Sequence, residues 1–249
     1  MSSEDASHLH SCPRMSPEPD RRHDLLRALG AIEQGDLLER LCLLAISQVP
    51  CDGAAVVIMA DGIPAGALAN AGECARVVTG AEFDLGEGPA FESISTDRPV
   101  LINHLDADAT AAWPVVGARL VDAGISSIFT FPLRLGAIRL GVAHMIRLSS
   151  IPLDDDSFAT ARALADLMTD AALFLQAGLV DAKFDDLLSA AGKDRLRVHQ
   201  ATGMVAEMLG CPMPDALARL RARAYAEGIP LFDLATSVIN RTVVFRYDD

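Results

Sequence analysis

Seven of the eight cations between residue 191 and the carboxyl terminus are arginines: Arg195, Arg197, Arg219, Arg221, Arg223, Arg241 and Arg246. Arginine carries a planar fork of donors that fits phosphate oxygens and stacks on base planes. The chemistry on offer is therefore recognition of a nucleic-acid backbone, not bond making. His199, Gln200 and Thr202 stand among these arginines and add groups able to hydrogen-bond exposed bases. Arg219 and Arg223 are one helical turn apart and would aim two forks at one strand, whereas Arg221 falls well round the same helix. Residues 191–249 hold eight Lys and Arg against seven Asp and Glu, a net of +1, while residues 1–190 hold thirteen against twenty-seven, a net of −14. The overall charge of −13 taken alone would repel phosphate. The split confines any nucleic-acid surface to the last quarter of the chain, with an ordinary solvated helical surface as the alternative reading.

Catalytic chemistry is hard to assemble. The six histidines fall at 8, 10 and 23 near the amino terminus, at 104 near loops, at 144 in an expected strand and at 199 on a helix, and none accompanies a Ser or Cys with an orienting acid. Gly86-Glu87-Gly88 lacks the Gly-Lys-Ser/Thr of a phosphate loop and the third glycine of a dinucleotide fingerprint. The five cysteines, at 12, 42, 51, 74 and 211, are odd in number and never spaced CxxC, which predicts reduced, mostly buried thiols. His8, His10 and Cys12 could touch a metal, but no scaffold holds them. Asp154-Asp155-Asp156 precedes a helical pattern and is read as capping, because the alternating ligands of a calcium loop are missing. No catalytic residue, metal or cofactor is expected.

The elements that would position these groups follow from periodicity. Residues 1–24 offer little to bury and read as a disordered tail. Asp36 is placed to cap a helix over 36–49, with Leu37, Leu38, Leu41, Leu44, Ala45 and Val49 on its apolar side. Residues 54–60 and 64–70 read as strands turning at Asp61-Gly62, and residues 76–79 as a third. A helix is expected from Pro89 to about Thr96, a strand over 98–102, a helix over 113–123 closed by Gly124, and a hairpin of 126–133 with 138–147. A long helix carrying Leu164, Leu167, Met168, Ala171 and Leu175 completes an α+β unit over 25–178, an antiparallel sheet flanked by helices. The order of these elements, with Phe83 to Pro89 and its Gly-Glu-Gly-Pro, Arg98-Pro99-Val100, and Gly136 to Val142, resembles a GAF domain, particularly those of actinobacterial regulators. The resemblance implies a sensory role and a small-molecule ligand, or dimerisation alone. If a pocket exists, Phe83, Phe91, Trp113 and His144 would line it, with core packing the alternative for each aromatic.

A helical connector over 179–193 leads to three short amphipathic helices over 194–249. Val198, Ala201, Val205 and Met208 form the apolar side of the first, Ala216, Leu217, Leu220 and Ala224 of the second, and Leu231, Leu234, Ala235, Val238 and Thr242 of the third. Gly203, inside the first, costs roughly 1 kcal/mol against alanine, a cost that is tolerable if another backbone must pass close by. Gln200 to Val205, Leu209-Gly210, Asp215-Ala216, Leu220-Arg221 with Ala224, and Leu231 to Ala235 with Val238 follow the pattern of the ANTAR family. That resemblance implies a three-helix RNA-binding bundle acting in transcription antitermination on paired stem-loops of leader transcripts. The RNA-contacting set is then Arg195, Arg197, His199, Gln200, Thr202, Arg219, Arg221, Arg223 and Arg241, with Thr202 standing where the family commonly has a cation. Tyr225 is either a stacking platform or a wedge between helices. The apolar helix over 164–188 and the habit of the family point to a homodimer. No apolar run approaches the length of a membrane span and no signal peptide is apparent, so a cytoplasmic protein is expected. The alternative function is a dimerisation or protein-interaction regulator without RNA binding.

Overall fold

The structure is a computed structural model that describes residues 18–60, 63–136, 138–176 and 193–246. In chain order the elements are α1 (Glu18–Leu29), α2 (Leu37–Gln48), β1 (Gly53–Ala60), β2 (Ile63–Ala71), α3 (Glu73–Leu85), α4 (Pro89–Thr96), β3 (Val100–Ile102), α5 (Pro114–Asp122), β4 (Ser127–Leu135), β5 (Ile138–Arg147) and α6 (Asp155–Gln176). The bundle follows as α7 (Lys193–Leu209), α8 (Met213–Glu227) and α9 (Leu231–Ile239). The five strands form one antiparallel sheet in the order β2-β1-β5-β4-β3, and the fold is α+β as expected.

Helices cover both faces of this sheet, which is why β1 is a continuous apolar run and not an alternating one. Ala54, Val56 and Ile58 point into a layer with Leu38, Leu41 and Leu44 of α2 and with Leu164 and Met168 of α6. The residues between them, Ala55, Val57 and Met59, point the other way, toward α3 and α4. Gly141 sits where β5 passes β1 so closely that a Cβ would overlap the Val57 carbonyl oxygen. Two caps fix the helices of the first layer. Asp36 Oδ1 accepts the N–H groups of Leu38 and Glu39 at 2.9 and 3.0 Å, and Glu39 Oε2 accepts the Asp36 N–H at 3.2 Å, a complete capping box. Asp154 Oδ1 accepts the Ser157 N–H at 2.7 Å, so the acidic run caps α6.

Three expectations change. Residues 76–79 are a turn of α3, not a strand: Cys74, Ala75, Val78 and Ala81 share one helical face buried against the sheet. Residues 18–24, assigned to the tail, belong to α1, where Arg21 pairs with Asp156 at 2.7 Å and Arg22 with Asp170 at 2.5 Å on α6. A Cβ added at Gly203 would meet no heavy atom of the described residues within 4 Å, so no neighbouring backbone among them demands the glycine. The remainder of the tail (1–17) and nearly all of the connector (177–192) lie outside the described residues. No helix among the described residues is long and apolar enough to cross a membrane.

Candidate nucleic-acid interface

The bundle closes on the apolar faces that periodicity picked out. Val198, Ala201, Val205 and Leu209 of α7, Ala216, Leu217, Leu220 and Ala224 of α8, and Leu231, Leu234, Ala235 and Val238 of α9 are all buried together. Leu209 takes the inner place expected of Met208, which packs at the margin, and Thr242 lies beyond α9, exposed. Gly210 and Gly228 end α7 and α8 in the left-handed conformation, with φ of 58° and 65°, that a side chain would strain. The three helices meet through small and branched side chains, with Phe245 and the margin residues Met204 and Met208 packed against them, so most of the polar residues are left for the outside.

The candidate RNA-contacting residues divide into two groups. Arg197, His199 and Gln200 on α7, Arg219 on α8 and Arg241 after α9 are exposed. The Arg197 guanidinium stands 5.3 Å over the Phe232 ring, which fixes its direction without occupying its donors. Arg219 makes no hydrogen bond or ion pair among the described residues. The side chain of Arg195 lies outside the described residues.

Thr202, Arg221 and Arg223 face inward or are engaged. Thr202 is buried and its hydroxyl donates to the Val198 carbonyl at 2.7 Å, so it is withdrawn from the interface by its own helix. Arg223 donates to Glu227 Oε1 at 2.7 Å and to the Val244 carbonyl at 3.3 Å, with its guanidinium 5.0 Å over Phe245; it ties the carboxyl-terminal segment to α8. Arg221 turns toward the sheet domain, where Nε and Nη2 donate to the Phe83 carbonyl at 3.0 and 2.7 Å. Burial lowers its guanidinium to about 10, with Asp84 acting in the opposite direction, and it remains charged at neutral pH.

Residues 186–239 match the family model described as ANTAR domain. They form an ANTAR domain. The amino-terminal unit is similar in structure to solved GAF domains. One, from a phosphoenolpyruvate-protein phosphotransferase of Coxiella burnetii, is 15% identical, with 66% of this chain and 97% of that chain covered at a TM-score of 0.49. The GAF domain of the Acinetobacter phosphoenolpyruvate-protein phosphotransferase is 11% identical, covering 67% of this chain and 100% of that chain at a TM-score of 0.49. No curated protein matches the chain.

The ANTAR domain meets the sheet domain at the end of α3, a contact that the sequence does not announce. Phe83 is buried in the ANTAR core with Val198, Leu217 and Leu220 among its cluster, and its ring lies 5.9 Å from the Arg221 guanidinium. Three residues on, Gly86 ends α3 in the left-handed conformation at φ 75°, and a Cβ there would come within 2.5 Å of Arg221 Nη1. The same loop organises the sheet domain: Glu87 Oε1 accepts the N–H groups of Val115 and Val116 at 2.8 and 2.9 Å, capping α5. Between loop and ANTAR domain lies a cavity of about 300 Å³, lined by Leu85, Gly86, Glu87, Val115, Ala218, Arg221, Ala222 and Tyr225. Tyr225 is 64% exposed at its edge, so it is not a wedge between helices.

The four residues proposed for a sheet-domain pocket do not line this cavity. Trp113 is buried in the core beside α3 and α5, and its indole N–H donates to Glu92 at 2.9 Å. Phe91 packs beside Val57 and Met59. His144 is buried between Thr130 and Glu82, and Phe83 belongs to the ANTAR core. No three His, Cys, Asp or Glu side chains are grouped as a metal site among the described residues.

Proposed function

We propose that this chain is an RNA-binding regulator of transcription antitermination, in which the ANTAR domain binds paired stem-loops of nascent leader RNA. The GAF-like sheet domain receives the signal, a small molecule on this reading, and the protein acts in the cytoplasm as a homodimer that performs no chemistry of its own. The observation that carries the reading is the ANTAR match at residues 186–239, which falls on the arginine-rich quarter of an otherwise acidic chain. Arg197, His199, Gln200, Arg219 and Arg241 supply the exposed donors. Phosphates provide the salt-dependent attraction, and unstacked loop bases the sequence preference. Two ANTAR domains in a dimer would engage two stem-loops with a gain in effective concentration.

The test is a salt titration of the full chain against a synthetic RNA carrying two short stem-loops, read by gel shift. Binding that weakens linearly in log salt and drops when the loop sequences are scrambled supports the reading. Absence of binding down to low salt overturns it.

A further inference from the structure

We propose that the Arg221 face of α8 serves two alternative partners, the end of α3 and an RNA phosphate, so that the docked sheet domain withholds this arginine from RNA. The inference rests on the RNA-binding reading above and adds the means by which one domain governs the other.

The α3 side of the contact begins with a general property of helices. The last carbonyls of a helix have no intrahelical partner, and the dipole leaves that end partly negative, so a cation is favoured there. In α3 the Glu82 carbonyl is taken by the N–H of Gly86 at 2.9 Å. The next carbonyl, that of Phe83, receives both Nε and Nη2 of Arg221. Arg221 therefore acts as a capping cation for a helix 138 residues away in sequence. The ring of Phe83 enters the bundle core beside it, and the missing side chain of Gly86 leaves the room that Nη1 occupies. Three features at the end of α3, a terminal carbonyl, an aromatic ring and a bare Cα, thus converge on one guanidinium.

Each of these can be given up to a stronger acceptor. A phosphate bears a full negative charge and accepts the same two parallel donors in a bidentate, charge-assisted pair, which is roughly twice as strong as a bond to a neutral acceptor. The guanidinium is also held here at the expense of its hydration, as its lowered pKa reflects. The docked state disfavours RNA in a second way. Residues 1–190 carry a net charge of −14; Asp84, in the last turn of α3, lies near enough to act on the Arg221 charge, and Glu87, on the loop that follows, lines the cavity against α8. Docking thus sets acidic side chains beside the helix that would meet phosphate. The contact is not sealed: the cavity of about 300 Å³ and the exposed Tyr225 leave the flank of α8 open to an approaching strand.

The experiment measures dissociation constants of the full chain for the two-stem-loop RNA across salt, for the wild type, Phe83→Ala, Gly86→Ala, and Gly86→Ala combined with Arg221→Gln. Phe83→Ala removes the ring from the bundle core. Gly86→Ala leaves the bundle core intact: its methyl crowds the guanidinium and Cδ of Arg221, and at φ 75° it also strains the end of α3. Both single variants are expected to bind roughly tenfold more tightly than the wild type. Their log–log salt slope should steepen by about one phosphate contact, roughly 0.7 to 0.9. Adding Arg221→Gln should remove that increment. Wild-type affinity and slope in a folded Gly86→Ala protein, with RNA binding intact, overturn the switch alone. Loss of RNA binding in every protein, wild type included, overturns the RNA reading and the switch with it.

Discussion

Glu82 Oε2 lies 3.0 Å from His144 Nε2, and both side chains are sealed from solvent. The other Glu82 oxygen accepts the Ala90 N–H at the start of α4 at 2.7 Å, and His144 Nδ1 is 2.9 Å from the Thr130 hydroxyl. The ring nitrogen and the carboxylate are close without being aligned as a hydrogen bond, and neither atom has another hydrogen-bond partner among the described residues. Removing one of them strands the other in the core. Glu82→Ala also strands the Ala90 N–H, so its expected cost is about 3 kcal/mol or more, a fall in Tm of roughly 6 to 12 °C. Glu82→Gln, which keeps the volume and the acceptor for Ala90, should cost clearly less. Thermal melts of the two variants check this, and an alanine variant as stable as the wild type would show that the pair contributes little.

Signals that are local in sequence were legible, and those that depend on a distant partner were not. The helix over 36–49 could be read because its cap, Asp36, and its apolar spacing sit within four turns of each other. Residues 76–79 misled because Val77, Val78 and Thr79 form a β-branched run, and strand propensity of that kind gives way to packing. In α3 the burial of Cys74, Ala75, Val78 and Ala81 decides the matter. At the interface the chemistry of the donors was readable but their engagement was not. Thr202, Arg221 and Arg223 donate to the carbonyls of Val198, Phe83 and Val244. Every residue carries a carbonyl, so an acceptor of this kind leaves no trace in the amino-acid pattern.

Gly203 sits inside α7 with open space where its side chain would be. A glycine in a helix interior is worse than alanine by about 1 kcal/mol, through the entropy of the unfolded chain and the lower propensity. Gly203→Ala is therefore expected to stabilise the ANTAR domain by about that amount. Urea unfolding of the full chain checks it. A destabilised variant would mean that the position is closed off by a contact formed only in the dimer.

Burial pushes the Cys51 thiol up to about 12, raises Cys42 further, and raises Cys74 as well, while Cys211 is only partly buried. The thiolate is the nucleophile that iodoacetamide alkylates, and it must be reachable, so Cys211 should react at neutral pH well before the other three, as mass spectrometry of the digested protein would reveal. The same burial bears on alkaline stability. In the unfolded chain these thiols ionise near their ordinary value of 9.0, whereas in the folded chain they stay protonated. The folded state then binds more protons, so stability is full below about pH 9 and falls as pH rises from there toward 12. Urea midpoints at pH 8 and pH 10 measure that fall, and Cys51→Ala should shrink it.

Arg219 and Arg223 lie one turn apart on α8, yet the structure gives them different work. Arg219 is exposed and makes no hydrogen bond or ion pair among the described residues, whereas Arg223 holds Glu227, the Val244 carbonyl and the Phe245 ring. A residue that touches only phosphate contributes to the salt slope and not to folding, while one that fastens a terminal segment does the reverse. Arg219→Ala should therefore reduce the log–log salt slope of RNA binding by roughly 0.7 to 0.9, with stability changed by less than about 0.5 kcal/mol. Arg223→Ala should lower Tm by freeing Phe245 from the bundle core and leave the slope as it was. Equal slope losses from the two substitutions would mean that Arg223 leaves Val244 for phosphate when RNA binds, because an arginine that keeps its internal partners cannot release a counterion.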